Sequence, residues 1–364
     1  MAEFFQEILQ DVLDNPDEPV VWHKEDFFFS AFYNDLPRLQ QFLHSPDFSD
    51  WDFNVNQVYD LDIIEGGSKS WTALFGASAK GNHEAVKILL QQKDIDVNLA
   101  EKEDNISPLL VAATEGHPRV VNLLLKHPNI RINQTGYSFL ATPLYFAAQR
   151  GHIANVKLLL DCKGVAVNQN TTERYSPLLI AIENGHTEIV KLLLKHPDID
   201  VKQGSLDDSS PLYFASEFRR TDIVKLLCAC PEVDVNKPNK LGQTALHVAC
   251  ENSDYKTVKV LLKHPDIDPT LVATAKWSGK KFDPLYATKL RNFYSDDQTP
   301  KAQMKVERRI EKSVRKAEKK KCRVCSEKGS FKCGRCKFVY YCSKECQKKH
   351  WKGGHKQDCS GPAA

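Results

Sequence analysis

SPLLIAIENGHTEIVKLLLKHPDID, residues 176 to 200, is the stretch whose reading decides the fold. Ser176 is followed by Pro177, and Ala181 stands five positions after the Ser. Gly185-His186 comes next, then the triplet Leu192-Leu193-Leu194, then Pro197. The same unit opens at Thr72, Ser107, Thr142, Ser176, Ser210 and Thr244, at intervals of 35, 35, 34, 34 and 34 residues. Self-similarity at a fixed period of this length marks a repeat array.

Each position has a physical reason. A Ser or Thr side chain accepts a hydrogen bond from a free backbone N–H at a helix start, and Pro108, Pro143, Pro177 and Pro211 follow it where a missing N–H costs nothing. Ala77, Ala112, Ala147, Ala181, Ala215 and Ala249 then fall on one face, small enough for neighbouring helices to approach closely. Gly81, Gly116, Gly151 and Gly185 sit where a helix ends in a left-handed residue. A second helix follows, with apolar triplets Ile88 to Leu90, Leu123 to Leu125, Leu158 to Leu160 and Leu192 to Leu194. Pro128, Pro197, Pro231 and Pro265 are expected to stop it. One helix pair cannot bury its own apolar face, so the units must stack.

These residues resemble the ankyrin repeat family. Thr244-Ala-Leu-His247-Val-Ala249 is similar to its helix-opening motif, and Asp96-Val97-Asn98 and Asp234-Val235-Asn236 to its inter-repeat loop. The resemblance covers roughly residues 27 to 295 and implies an all-α solenoid of helix-turn-helix units. Arg219 and Ser253 depart from it by replacing the turn Gly, and only the unit at Thr244 keeps the motif His. Residues 27 to 56 read as a degenerate first unit, in which Leu39, Phe42 and Leu43 align with the later triplets and Asn54-Val55-Asn56 with the later loops. Asp283-Pro284-Leu285 opens a shortened last unit sealed by Leu290 and Phe293, which makes about eight units. Ahead of them, Phe4, Phe5, Ile8, Leu9, Val12 and Leu13 recur at helical spacing and predict an amphipathic helix over 3–14. Its polar positions are acidic, which favours a cap over the end of the stack, within a lead-in of residues 1–26, over a membrane helix.

Charge and cysteine are unevenly spread along the 364 residues. Residues 301–364 hold 20 Lys or Arg against 6 Asp or Glu, whereas residues 1–300 hold 30 against 41, so an acidic body carries a basic tail. Residues 296–321 predict a charged helical linker that begins at Thr299-Pro300, with Val306, Ile310, Val314 and Ala317 on one face, and Lys319-Lys320-Lys321 in it is a candidate import signal. No apolar run approaches the eighteen or so residues that span a bilayer, and the N-terminus carries an acid where a secretory signal carries a base. An intracellular protein, cytoplasmic or nuclear or both, is expected. Seven of the 11 cysteines lie between Cys322 and Cys359, and in such a chain clustering of this kind favours metal over disulfides.

The tail's spacing is Cys322-xx-Cys325, Cys333-xx-Cys336, Cys342-xxx-Cys346 and His355-xxx-Cys359. Eight soft or imidazole donors satisfy two tetrahedral zinc ions, with no open position for a substrate water. The segment resembles the MYND zinc finger, whose hallmark positions match Tyr341-Cys342-Ser343, Cys346-Gln347 and His350-Trp351. That resemblance implies interleaved ligand sets: Cys322, Cys325, Cys342 and Cys346 on one zinc, and Cys333, Cys336, His355 and Cys359 on the other. The spacing from Trp351 to His355 is longer than the commoner pattern and leaves His350 as a competing ligand, while His355-xxx-Cys359 favours His355. The resemblance also implies a small α/β finger that captures proteins with proline-containing short motifs of a Pro-x-Leu type, using Gln347 and Trp351, although Gly334 replaces a small polar residue of the pattern.

Within the array, Gly67-Ser-Lys69-Ser lacks the upstream glycine of a phosphate-binding loop. His127, His196 and His264 precede Pro at helix ends, where the dipole accounts for them better than metal does. Phe75, Leu110, Tyr145, Leu179, Tyr213 and His247 form a row along the first helices, read as inter-repeat packing first and ligand groove second. The loops Tyr137-Ser-Phe139, Thr172-Glu-Arg174-Tyr175 and Leu206-Asp-Asp208 vary from unit to unit, as specificity surfaces do. Tyr137, Phe139, Tyr145, Tyr175 and Tyr213 are therefore the candidates for contact with a second protein. The expected function is a non-enzymatic adaptor; nucleic-acid binding through the basic linker and finger is the alternative.

Overall fold

The computed structural model describes residues 24–44, 54–61, 69–252, 254–269, 271, 273–274, 281–282, 331–332 and 340–341. The chain divides into two compact units, Met1–Asp200 and Val201–Ala364. The helix predicted over 3–14, the last unit at 283–293, the linker at 296–321 and Ser253 all lie outside the described residues.

Unit one contains five helix pairs: α1 (Lys24–Phe32) with α2 (Leu36–His44), α3 (Ala73–Lys80) with α4 (His83–Leu89), α5 (Pro108–Glu115) with α6 (Pro118–Leu125), α7 (Pro143–Arg150) with α8 (Ile153–Leu160), and α9 (Pro177–Asn184) with α10 (Thr187–Leu194). Between the first two pairs, β1 (Val58–Leu61) and β2 (Lys69–Thr72) form an antiparallel ribbon in which Val58 pairs with Thr72. Lys69 is therefore a strand residue and not part of a phosphate loop. In unit two, α11 (Pro211–Glu217) pairs with α12 (Thr221–Cys228), and α13 (Ala245–Glu251) with α14 (Tyr255–Leu261). Short antiparallel ribbons join β3 (Ala273–Thr274) to β4 (Lys281–Phe282), and β5 (Phe331–Lys332) to β6 (Tyr340–Tyr341).

The expected caps form. Thr72, Ser107, Thr142, Ser176 and Ser210 accept from the backbone N–H three residues on, at 3.1–3.2 Å. At Thr244 the motif His changes the arrangement. The Thr244 N–H donates to His247 Nδ1 at 3.2 Å, which leaves Nε2 as the protonated nitrogen donating to the Leu271 carbonyl at 3.1 Å. The six recurring alanines are completely buried, and beneath them the second helices bury Val86 and Leu89, Val121 and Leu124, Val156 and Leu159, Val190 and Leu193, Val224 and Leu227, and Val258 and Leu261. Burial of each such side chain stabilises by roughly 1.5–3 kcal/mol, and only a neighbouring pair can supply the contact. The prolines are not what ends the second helices. Those helices stop at Leu125, Leu194, Cys228 and Leu261, two residues or more ahead of each Pro, and α4 and α8 stop in the same register with no Pro at all.

Two sets of long-range hydrogen bonds fix the spacing of successive pairs. In the first, a loop asparagine bridges to the next loop through both ends of its amide. Asn98 Nδ2 donates to the Asn129 carbonyl and its Oδ1 accepts from the Arg131 N–H, both at 2.8 Å. Asn56, Asn133 and Asn168 in unit one and Asn236 in unit two do the same. Lys202 stands at the corresponding place one period after Asn168, so this rung is missing. In the second, His117, His152 and His186 place Nε2 2.9–3.0 Å from the carbonyls of Ala79, Thr114 and Gln149 in the pair before. Their rings lie against Gly81, Gly116 and Gly151, whose φ angles are +77°, +83° and +80°. Glycine is required twice over there, by the left-handed backbone and by the imidazole, since a Cβ on Gly116 would lie 2.6 Å from His152 Cε1. Arg219 takes the same left-handed conformation, φ +57°, without being glycine. Its guanidinium donates to the Asn252 carbonyl at 2.6 Å.

Two stability measurements follow. Lys202→Asn restores the amide bridge toward residues 232–234 and is expected to raise stability by about 0.5–1 kcal/mol in chemical denaturation; an unchanged or lower midpoint would mean the rung adds nothing. Gly116→Ala pairs the left-handed penalty with displacement of His152 and is expected to cost about 1–3 kcal/mol. Gly164→Ala carries only the backbone penalty, because nothing lies within 4 Å of its Cβ position. Equal losses for the two substitutions would remove the imidazole from the account.

Candidate functional site

The varied loops are built on one plan by different side chains. In four of them a polar side chain at or beside the tip accepts hydrogen bonds across the turn, whereas the loop at 136–141 has Gly136 at that place and closes by backbone pairing alone. Glu101, buried, accepts from Glu103 and Asp104, both at 2.8 Å. Thr171 accepts from Tyr175 at 3.1 Å. In unit two Asp207 accepts from Ser205 Oγ, from Ser209 Oγ and from the Ser209 N–H, and Asn239 accepts from Leu241 and Gln243. Consecutive tips are also linked: the Thr172 N–H donates to the Phe139 carbonyl at 3.0 Å, and the Lys240 N–H to the Asp207 carbonyl at 2.9 Å. The turn is held by this fixed hydrogen bonding, so the remaining tip residues are free to differ.

The tip at 136–141 is the most apolar of them. Gly136 and Ala141 exchange both backbone hydrogen bonds, at 3.0 and 3.1 Å, and close a short finger. Tyr137 and Leu140 within it take left-handed φ angles of +60° and +57°, a conformation that costs a side-chain-bearing residue on the order of 1 kcal/mol each. Ring contacts offset that cost. Tyr137 stacks on Phe139 with centroids 5.6 Å apart, and Phe146 lies 5.0 Å from Tyr137 and 5.9 Å from Phe139. Tyr145 meets Phe146 edge-on at 5.6 Å. Leu140, at the end of the finger, is 51% exposed.

Of the five aromatic candidates, Tyr137, Phe139 and Tyr175 are half-buried at loop tips. Tyr145 and Tyr213 require correction, because they are only 6% and 7% exposed. With Phe75, Leu110, Leu179 and His247 they fill the space between repeats, as the packing reading of that row expects. Burial, then Glu183, Tyr175 and Glu173, push the Tyr145 hydroxyl up to about 12, and burial followed by Glu217, Glu251 and Asp207 pushes Tyr213 up as well. Burial also raises the Glu183 carboxyl. Both hydroxyls are therefore neutral; Tyr213 Oη donates to Gln243 Oε1 at 3.4 Å, and Gln243 Nε2 donates to Glu251. Reading the sequence overlooked Leu140 and Leu241, which are exposed at their tips like Leu206. The available signal was an apolar residue inside a segment of turn formers.

The other candidates inside the array have structural roles. His127, His196 and His264 each place Nδ1 3.3 Å from the backbone N–H two residues on, so the imidazole organises the turn after the helix as an acceptor. Burial pushes the thiols of Cys162, Cys228 and Cys230 up, Cys228 to about 11, which keeps them protonated and poorly nucleophilic. Among the described residues no three or more His, Cys, Asp or Glu side chains gather where a metal ion would be held, and no helix is long and apolar enough to cross a membrane.

The eight donors from Cys322 to Cys359, together with Gln347 and Trp351, lie outside the described residues. Described within that segment are β5 and β6, paired so that Phe331 faces Tyr341 and Lys332 faces Tyr340. Cys333 follows β5 directly in the chain, and Cys342 follows β6.

Comparison with known proteins agrees with this architecture. The family model "Ankyrin repeats (3 copies)" matches residues 27–136, 133–205 and 202–273, and the model "MYND finger" matches residues 322–359. Among solved structures, the ankyrin repeat domain of human ASB11 superposes with a TM-score of 0.53 at 24% identity, over 65% of this chain and 98% of that one. The ankyrin repeat domain of Bcl-3 superposes with a TM-score of 0.55 at 20% identity, over 65% and 97%. Likeness at this identity establishes the fold alone. Curated relatives match over short stretches in the finger region. Ubiquitin carboxyl-terminal hydrolase 19 of Arabidopsis thaliana is 52% identical over 40 residues, 11% of this chain and 6% of that protein. Programmed cell death protein 2 of Bos taurus is 51% identical over 39 residues, 11% of each chain. The chain thus spans about a tenth or less of the length of these relatives. Ankyrin repeats and MYND fingers are protein-interaction modules, and the MYND finger binds zinc. With its repeats matched from residue 27 to residue 273, this chain belongs to the ankyrin repeat family and carries a MYND finger at residues 322–359.

Proposed function

We propose that the protein is a non-enzymatic adaptor that holds one protein on its ankyrin loop tips and captures a second, proline-containing segment with its zinc finger. The observation that carries this reading is the coexistence in one chain of two interaction modules of different chemistry. One is an apolar finger tip at 136–141 on a rigid repeat; the other is a finger with eight metal donors. The short matches to ubiquitin hydrolases stay within the finger, so they carry no hydrolase activity across to this chain.

Seven cysteines and one histidine supply eight donors, enough for two closed tetrahedral zinc sites. Cys322, Cys325, Cys342 and Cys346 would hold one ion, and Cys333, Cys336, His355 and Cys359 the other. The antiparallel ribbon supports the interleaving, since the chain leaves β5 toward Cys333 at one end of the ribbon and leaves β6 toward Cys342 at the other. Bound zinc supplies fold, because a segment of this size has too little core of its own. Gln347 and Trp351 would line the groove, and an extended, proline-bearing ligand loses little entropy on entering it. Such thiolate sites suit a compartment that keeps cysteines reduced, which supports an intracellular location, cytoplasmic or nuclear.

The test is fluorescence anisotropy of the zinc-loaded full chain with a labelled Pro-x-Leu-x-Pro peptide and with a labelled DNA duplex, at two salt concentrations. Saturable peptide binding that survives salt is expected. Binding only to DNA, lost steeply in salt, would replace the adaptor by an electrostatic anchor built on the tail of 20 basic and 6 acidic residues. Trp351→Ala is expected to weaken peptide capture about tenfold or more while two zinc ions are retained by elemental analysis; loss of metal instead would make Trp351 a structural residue.

A further inference from the structure

We infer that the loop tips at 136–141 and 171–175 together read one extended segment of a partner protein, with Leu140 taking an apolar side chain and Arg174 a carboxylate about three residues further along it. The inference names the kind of partner for the loop-tip surface of the adaptor, and it rests on that reading.

The two residues are set apart by their backbone. Ahead of the caps Ser107, Thr142, Ser176, Ser210 and Thr244, the residue two places before the cap is left-handed in each case. In unit one these are Asn105, Leu140 and Arg174, with φ angles of +54°, +57° and +59°; in unit two they are Asp208 and Gly242, at +61° and +76°. Glycine adopts that conformation freely, and Asn and Asp tolerate it through their short polar side chains. Leu and Arg have neither advantage. Asn105 uses its side chain within the scaffold, donating to the Thr135 carbonyl at 2.7 Å. Leu140 is instead 51% exposed, and the Arg174 side chain is exposed with no hydrogen bond or ion pair from its guanidinium to a described residue. Strain kept at exposed side chains points to recognition.

The scaffold holds the pair in a fixed relation. The helices that follow the two tips, α7 and α9, pack against each other, and helices so packed stand about 8–10 Å apart. The tips themselves are joined by the Thr172 N–H, which donates to the Phe139 carbonyl at 3.0 Å. Each turn is closed as well: the Leu140 N–H donates to the Tyr137 carbonyl at 3.1 Å, and the Arg174 N–H to the Thr171 carbonyl at 2.9 Å. A platform built in this way has little ordering left to lose on binding.

That separation sets the ligand. An extended chain with three residues per turn rises about 3.1 Å per residue, so side chains three apart share a face about 9 Å from each other. Leu140 belongs to the same tip as the stacked rings of Tyr137 and Phe139 and offers an apolar contact. Arg174 offers the planar fork that pairs with a carboxylate. Glu173, exposed on the same tip, repels further acids and restricts the segment to one.

Selection of random, proline-free dodecapeptides on the zinc-loaded full chain tests this, because omitting proline keeps the finger's motif out of the library. Enriched sequences are expected to carry Leu, Ile, Phe or Met three residues from a single Asp or Glu. With Arg174→Glu the acid is expected to give way to Lys or Arg, and with Leu140→Asn the apolar residue is expected to be lost. An enriched peptide is expected to bind each variant about tenfold more weakly in anisotropy. Both substitutions lie at exposed positions, so unfolding midpoints are expected to stay within about 2 °C of the unsubstituted chain. No enrichment would overturn the assignment. Enrichment that both variants share with the unsubstituted chain would overturn it too, and would move binding off the tips altogether. Peptides of another pattern that are lost with Leu140→Asn would overturn the pairing of Leu140 with Arg174 alone and leave the tips as the adaptor's binding surface.

Discussion

Within each unit, a helix pair buries its apolar face against the next pair and not within itself. Nearly everything regular in the sequence follows from that requirement. The recurring alanines permit close approach, the second helices repeat the same buried Val and Leu, and the glycines keep their places because the next repeat's imidazole lies on them. Stability in such a stack is a sum of local terms and nearest-neighbour terms. The asparagine bridges and the histidine bonds are the polar part of those nearest-neighbour terms, and they hold the period at 34 or 35 residues.

The same division of labour leaves the loop tips free. In four of the turns a polar side chain, Glu101 or Thr171 or Asp207 or Asn239, accepts the hydrogen bonds that close the turn, so the residues beside it can change without cost to the scaffold. At 136–141 that freedom has gone into aromatic rings, two left-handed side chains and an exposed leucine, a costly arrangement in a solvent-facing turn. The MYND finger at 322–359 is a zinc-binding module, and a segment so short has little apolar surface to bury without metal. One chain therefore combines a surface stabilised by stacking with a surface stabilised by coordination.

What could be read from the sequence was whatever is dictated locally. A cap at Ser176, a left-handed glycine at Gly185 and a small residue at Ala181 are demanded by the few residues around them, and each stands where the pattern put it. Long-range pairings were not legible. Nothing near Asn98 announces that its amide reaches residues 129 and 131, so the gap at Lys202 had no meaning until the bridges were seen. Tyr145 and Tyr213 misled as contact candidates for a related reason. Their burial is decided by the neighbouring repeat and not by their own segment. The ribbon of β1 and β2 also escaped, because its strands are four residues each and pair across an intervening segment. In the finger, the donor spacing carried the whole reading.

The central claim is that two independent interaction surfaces share one chain. The most direct test is affinity capture with quantitative mass spectrometry, comparing the full chain with Leu140→Asp and with Trp351→Ala. Leu140 is exposed and Trp351 is not a zinc donor, so each substitution addresses one surface. The account predicts that each variant loses a different set of captured proteins and keeps the other's. Loss of the same set by both would contradict it, and would make the array and the finger parts of a single binding site.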